Sequence, residues 1–359
     1  MINSTESGIT IDQIQDFLST HEWYDNSRLE TQLACKRKAY YQQIGPFGIP
    51  LSKRVGPGAD FGTCMHAAHE VYYHKWKVLS ETQRRLNSVR AFEQQHRELF
   101  PNGTTDRKHT LANGLDIWDD YCDYCLAEDT LYRPVDPEIG FIVRIAPRPN
   151  EPTFTPFWYV GRADGVWERL SERDYFIGEL KTSSGGVDRR IKSLTFHRQP
   201  VGYVALAREL VSQGKFEDLT DPLQIIGHFV SVIGVGVSKR DFDREFFPDS
   251  EEETESWRYE TIQIVTEWRA RMAGLRGSME FSPRGAWKSL YYKETEECTK
   301  YGLCPYWDLC KYGVTSDTVA EFEPESWNPI TTNRGSVNPI PEKFATDPEA
   351  ESEVIRIGR

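Results

Sequence analysis

The sequence predicts an α/β fold, with helices packed on a mixed sheet, from three observations. Helical periodicity fills the N-terminal third, three β-branched and aromatic runs follow close together, and a helical stretch separates them from a further apolar run. The order is helix, three strands, helix, strand. With 359 residues, 38% of them hydrophobic, the chain has ample material for a buried core, so small size is no reason for a metal staple.

In chain order, residues 1–26 form a lead whose "TIDQIQDFLSTHEWY" reads as a short amphipathic helix. "SRLETQLACKRKAYYQQIG" is the next helix, with Ser27 as N-cap, Cys35 inside it, and Gly45 and Pro46 ending it. "GADFGTCMHAAHEVYYHKWKVLSETQRRL" opens a longer helical pattern, and residues 75–135 read as a helical insertion. Then the texture changes to "GFIVRIA", "FWYVGRADGVWERL" and "YFIGELKTSS", the last two joined by "SERD", which is hairpin-turn chemistry. After Gln199 and Pro200, "VGYVALARELVSQGK" has helical periodicity and "LQIIGHFVSVIGVGV" reads as a buried strand, completing a sheet core over 139–236. "EEETESWRYETIQIVTEWRARMAGL" is a late amphipathic helix, and residues 313–359, rich in Pro, Asn and acid, read as an irregular or disordered tail.

The net charge of −12 argues against a general DNA-coating protein, because non-specific affinity comes from neutralising phosphates with Lys and Arg. It leaves room for an enzyme with a local basic track, for which Arg189, Arg190, Lys192 and Arg198 are the candidates. Seven cysteines, no N-terminal stretch resembling a signal peptide and no bilayer-length apolar run give the expectation of a reducing, cytoplasmic setting with no membrane partner.

Chemistry concentrates at Asp164, Glu179 and Lys181. Side chains alternate along a strand, so Glu179 and Lys181 share a face, and the hairpin brings Asp164 beside them. Two carboxylates so placed are an oxygen site for Mg²⁺ or Mn²⁺, and the lysine can orient water or offset charge growing on a phosphate. Glu-x-Lys alone is an ordinary solvated strand face. Here, though, "YFIGELKTSS" is apolar before the pair, so the charges stand where a buried strand leaves the core.

"GRADGVWE…FIGELKTSS" resembles the Asp…Glu-x-Lys signature of the PD-(D/E)XK nuclease superfamily. Gly62, His66 and Glu70 in "GTCMHAAHE" match the G-x-x-x-H-x-x-x-E pattern of its RecB-like branch, and Gln199 and Tyr203 in "QPVGY" match that branch's Q-x-x-x-Y. The resemblance implies a restriction-endonuclease-like core and a metal held by His66, Asp164, Glu179 and the Leu180 backbone carbonyl. It assigns Lys181 to water and phosphate, Gln199 and Tyr203 to the substrate strand or catalytic groups, and Glu70 to orienting His66 or a water. Pro200 disfavours helical geometry at Gln199, which is therefore expected at a helix entrance.

"CTKYGLCPYWDLC" sets Cys298, Cys304 and Cys310 in one short segment, residues 290–312, and three thiolates do not complete a four-coordinate site. "CDYC", at Cys122 and Cys125, has metal-like spacing but no second pair nearby, and an amphipathic helix accounts equally well for buried thiols. In the iron–sulfur members of the RecB-like branch one cysteine lies far upstream, and "LACKRKAYYQ" resembles that element, which implies Cys35 as the fourth ligand. The implied group is a [4Fe-4S] cluster clasping the two ends of a nuclease domain over 27–312, with zinc at the same four cysteines as the alternative. The expectation is thus a Mg²⁺- or Mn²⁺-dependent DNA exonuclease, similar to the AddB nuclease domain and the CRISPR-associated exonucleases. It would act on single-stranded or tailed DNA in recombination, repair or phage DNA metabolism. No P-loop pattern is present, so unwinding would need a helicase or recombination partner. The rival is a silent DNA-end-binding or scaffold subunit on the same fold.

Overall fold

In the computed structural model, the described residues are 8–9, 16–17, 19–324, 340–341 and 354–357. Within the long span, 46–48, 53–55, 75, 137–138, 150, 195–196, 213–218, 220, 239, 282–287, 289 and 301–302 are left out. The main helices are α1 (Asn26–Ala34), α2 (Lys36–Gln43), α3 (Pro57–His74), α4 (Glu81–Leu99), α5 (Leu111–Glu128), α6 (Val187–Leu194), α7 (Arg198–Ser212), α8 (Glu251–Phe281) and α9 (Trp307–Tyr312). The strands are β1 (Trp23–Tyr24), β2 (Tyr132–Asp136), β3 (Ile139–Ile145), β4 (Phe157–Ala163), β5 (Val166–Arg169), β6 (Asp174–Ser183), β7 (Ile225–Gly234), β8 (Phe242–Pro248) and β9 (Val354–Ile357).

The fold is mixed α/β, as expected. One sheet has five strands in the order β8-β7-β6-β5-β2, with β6 and β7 parallel and the remaining pairs antiparallel. A parallel pair needs a crossover, here supplied by α6 and α7. The second sheet has the order β9-β3-β4-β1.

β6 is buried on both faces, and its alternation sorts the core. Tyr175 and Ile177 join one cluster with Tyr203 and Val204 of α7, while Phe176 and Leu180 join another with Phe61, Cys64 and Met65 of α3. Val187, Ile191 and Leu194 bury the apolar stripe of α6 against Val230 and Val232 of β7.

Several expectations are corrected. "FWYVGRADGVWERL" is two strands, not one. It breaks at Asp164 and Gly165, whose φ of +147° suits glycine, so that β4 lies in the four-stranded sheet and β5 in the five-stranded one. The insertion over 75–135 ends in β2, which edges the five-stranded sheet. The run bearing Arg189, Arg190 and Lys192, assigned to no element from the sequence, is the helix α6, because Val187, Ile191 and Leu194 recur at helical spacing. "FDREFFP" forms β8 on the sheet edge, a strand without an apolar run to announce it. In the stretch expected to be irregular, Glu323–Pro324 pairs with Leu51–Ser52, Ile340–Pro341 pairs with Gly8–Ile9, and β9 pairs with β3. Ser316–Val319 of that tail is a short helix, and residues 325–339, 342–353 and 358–359, with 10–15 and 18 of the helix expected in the lead, lie outside the described residues.

The two ends of the domain meet through the chain itself. Arg37 donates from its backbone N–H to Tyr292 O at 3.1 Å and from Nε to Tyr291 O at 2.5 Å. Tyr41 donates to Leu309 O at 3.2 Å, Tyr306 donates to Leu51 O at 2.7 Å, and the Tyr41 and Tyr306 rings stack. Among the described residues, no helix is long and apolar enough to cross a membrane.

Candidate active site and cysteine cavity

Asp164 stands where the chain passes from one sheet to the other. Its N–H donates to Gly178 O at 3.1 Å, and Gly178 N–H returns a bond to Gly165 O at 2.8 Å, so the break stays stitched to β6. Beyond this point β5 offers β6 no further ladder partner. The Asp164 carboxylate takes that place, with Oδ2 accepting from the Leu180 N–H at 2.9 Å. Its Oδ1 lies 2.8 Å from His66 Nδ1. The helix carrying His66 can come this near because Gly62, one turn earlier, faces Thr182, where an added Cβ would lie 3.2 Å from Oγ1. Glu70 follows one turn beyond His66, half-buried.

Glu179 and Lys181 share the face of β6 turned toward α7. Glu179 is 3% exposed, and its Oε1 accepts from Lys181 Nζ. Lys181 Nζ also donates to Gln199 Oε1 at 3.3 Å, and Gln199 Nε2 donates to the Tyr203 hydroxyl at 3.0 Å. Gln199 and Pro200 occupy the first turn of α7, as the proline requires. Tyr203 is seated by Phe141 and by Gly161, where an added Cβ would fall 2.8 Å from the Tyr203 ring. The structure thus joins His66 to Asp164 and the Leu180 amide, and Lys181 to Glu179, Gln199 and Tyr203.

The electrostatics of the two carboxylates diverge. Burial pushes Glu179 up to about 7 against the pull of Lys181, with the Asp164 charge adding to the rise. Burial would raise Asp164 too, but the charge and hydrogen bond of His66, then Lys181 and the Leu180 amide, hold it well below the usual carboxylate range. Lys181 loses charge stability to burial and regains more from Glu179 and Asp164, so it is raised and stays an ammonium. Burial likewise keeps the Tyr203 phenol protonated.

Among the described residues, no three His, Cys, Asp or Glu side chains are gathered closely enough to hold a metal ion. The expected donors His66, Asp164 and Glu179 are engaged by protein partners and do not form one cage. The donor set nonetheless fits a hard cation: Glu179 Oε2 is buried with no hydrogen-bond partner, and carboxylate, carbonyl and imidazole donors suit Mg²⁺ or Mn²⁺.

Cys35 sits at the junction of α1 and α2, buried, and lines one cavity of about 530 Å³ with Cys298 and Cys304. Cys304 N–H donates to Cys298 O at 2.8 Å. Burial pushes the Cys310 thiol up to about 11, Arg37 opposes this, and Cys35 and Cys304 add to it, so Cys310 lies within electrostatic reach of both. Three thiols line this cavity and Cys310 lies near it, a donor type that suits zinc or an iron–sulfur cluster, although the four are not drawn into one coordination shell. Cys122 and Cys125 are elsewhere, on α5 in the helical core with Cys64, and burial raises both thiols. They behave as small apolar residues.

A family model of the PD-(D/E)XK nuclease superfamily matches residues 26–311. The chain belongs to the PD-(D/E)XK nuclease superfamily. The match spans β3 to β7 and reaches past the last cysteine, Cys310, so both candidate sites lie within the family domain. No curated protein matches this nuclease-family chain. Among solved structures, the one titled "Crystal structure of SSO0001" is 12% identical, with 70% of this chain and 82% of that chain covered and a TM-score of 0.26.

Sequence reasoning missed one buried group. Arg244 of β8, 2% exposed, pairs with Asp129 at 2.9 Å and bonds Ser231 Oγ at 3.0 Å and the hydroxyls of Tyr73 and Tyr121 at 2.8 and 3.2 Å. It locks α3 and α5 of this nuclease domain onto the sheet edge. Arg244 in "DFDREFFPD" looks like a surface charge, and nothing local marks it otherwise. Arg198 also changes role: it pairs with Glu260 and donates to Thr261, which removes it from the basic track.

Proposed function

We propose that this chain is a metal-dependent DNA exonuclease acting on single-stranded or tailed DNA, in recombination, repair or phage DNA metabolism. The observation that carries the reading is the pair of polar networks set against β6. Asp164, Glu179 and Lys181 meet there with His66 from one flanking helix and Gln199 and Tyr203 from the other, inside a domain of a nuclease superfamily.

In this reading His66, Asp164, Glu179 and the Leu180 carbonyl hold Mg²⁺ or Mn²⁺, which when bound supplies Lewis-acid stabilisation of phosphate charge. His66 keeps Asp164 ionised and oriented. Lys181, held between Glu179 and Gln199, offers an ammonium that can position water and offset charge growing on the phosphoryl oxygens. Tyr203 and Gln199 hold that ammonium in place, and Glu70 supports the His66 side. Arg189, Arg190 and Lys192 of α6 make no ion pair among the described residues, and the charge of Arg190 is felt at Glu179 and Lys181. They supply the local cationic track that the net charge of −12 conceals. Cys35, Cys298, Cys304 and Cys310 would hold a [4Fe-4S] cluster or zinc that strengthens the clasp already made by Arg37, Tyr41 and Tyr306.

The test is digestion of 5′- and 3′-end-labelled single-stranded and duplex DNA with each divalent metal in turn. Progressive loss of label from one end in Mg²⁺ or Mn²⁺, abolished by EDTA, supports the reading. DNA binding without cleavage under every metal would favour the silent end-binding subunit.

A further inference from the structure

His197 immediately precedes α7, the position where a side-chain acceptor satisfies the free amides of a helix's first turn. Its Nδ1 accepts from the Gln199 N–H at 3.4 Å. Pro200 has no N–H to offer, so Gln199 carries the last amide of this opening stretch that a cap can reach. With Nδ1 accepting, the ring proton sits on Nε2, which donates to Glu30 Oε1 at 3.0 Å. Glu30 belongs to α1, and it lines the same cavity as Cys35, Cys298 and Cys304. On the other side, the Gln199 side chain meets Lys181 Nζ and Tyr203. One imidazole therefore bridges the wall of the cysteine cavity and the residue that touches the catalytic lysine.

We propose that His197 is a positioning residue that holds Gln199, and through it Lys181, in register with α1, so that the cysteine cavity's wall and the catalytic lysine move as one unit. The cap needs a neutral ring. Burial disfavours the imidazolium most, Glu30 favours it, and the positive charges of Lys181 and Arg190 add to the effect of burial, so the ring is shifted toward its neutral form. The activity arm of the test rests on the nuclease reading above; a second arm does not.

The variants separate the two bonds. His197→Ala removes both, and His197→Asn restores a short cap acceptor without reaching Glu30. Glu30→Gln keeps an acceptor for Nε2–H, and Glu30→Ala removes it. We expect His197→Ala to lower kcat roughly tenfold, the rate equivalent of a lost cap, with KM for single-stranded DNA unchanged. The Gln199 amide should exchange at least about tenfold faster with deuterium in that variant, and His197→Asn should restore both protection and most of kcat. Glu30→Ala should lower kcat while Glu30→Gln does not. Wild-type kcat and exchange in His197→Ala, a loss confined to KM, or His197→Asn no better than His197→Ala would each overturn the proposal. A wild-type protein inert with every metal would overturn the nuclease reading instead, and amide exchange would still decide the cap.

Discussion

Removing the Asp129 carboxylate tests how the helical insertion holds the helix that carries His66. In Asp129→Ala the Arg244 guanidinium keeps its hydroxyl partners but loses its buried counter-ion. At 2.9 Å the Coulomb attraction is about 6 kcal/mol at an effective dielectric near 20. Desolvation offsets a large share of that, and one-sided removal of such a pair costs about 3–5 kcal/mol. Glu128, 3.8 Å from the same nitrogen, leaves a weaker carboxylate in place. The lower half of that range therefore applies, and about 3–4 kcal/mol, at about 2.1 cal/mol/K per residue over a chain of 359 residues, corresponds to a melting midpoint lower by roughly 4–5 °C. Differential scanning calorimetry measures it directly. The companion double variant, Asp129→Ala with Arg244→Met, should recover about half the loss, the remainder being the Tyr73, Tyr121 and Ser231 hydroxyls left without their guanidinium. Because Tyr73 shares α3 with His66, cleavage should weaken along with stability. A single variant melting within about 2 °C of wild type, or a double variant no better than the single, refutes the reasoning.

Three further outcomes follow from the same geometry. Lys181→Ala and Asp164→Ala should each lower the rate of labelled-DNA cleavage by at least about 10²–10³-fold, the usual cost of one preorganised charge-stabilising group, with the circular dichroism spectrum retained. Undiminished cleavage by both would sink the site assignment. Cys35→Ala should lose bound iron or zinc as fully as Cys304→Ala by elemental analysis and visible absorbance, whereas Cys122→Ala should keep it; the reverse pattern would move the ligand set to α5. Replacing Arg189, Arg190 and Lys192 together with Ala should reduce the slope of log K against log salt for single-stranded DNA by about 2, at about 0.7 per lost phosphate contact. An unchanged slope would take the nucleic acid off α6.

The class of fold and the members of the candidate site were legible because their signals are local. Short continuous apolar runs rich in β-branched and aromatic residues mark β3, β6 and β7, and a charged pair at the end of an apolar run marks Glu179 and Lys181 wherever the strand goes. His66 and Glu70, and Gln199 and Tyr203, are four apart, a spacing that puts each pair on one helix face. The close trio of cysteines was equally visible. Arg244 and His197 were not, since an arginine in "DREFF" and a histidine in "FHRQP" have no pattern that tells burial or capping from exposure.

What only the tertiary structure decided was which sequence-distant groups meet. The break at Asp164 passes the chain between two sheets, and that transfer, not a simple hairpin, turns the carboxylate onto Leu180 and His66. The cavity that Cys35 shares with Cys298 and Cys304, the docking of α3 by Arg244, and the path from Glu30 through His197 to Lys181 all join residues far apart in the chain. The sequence by itself determined the longer helices, the apolar strands and the chemistry they carry, because propensity and periodicity act over a few residues. The meeting points depend on long-range packing, in which the burial of β6 from both sides sets how near each flanking helix can come.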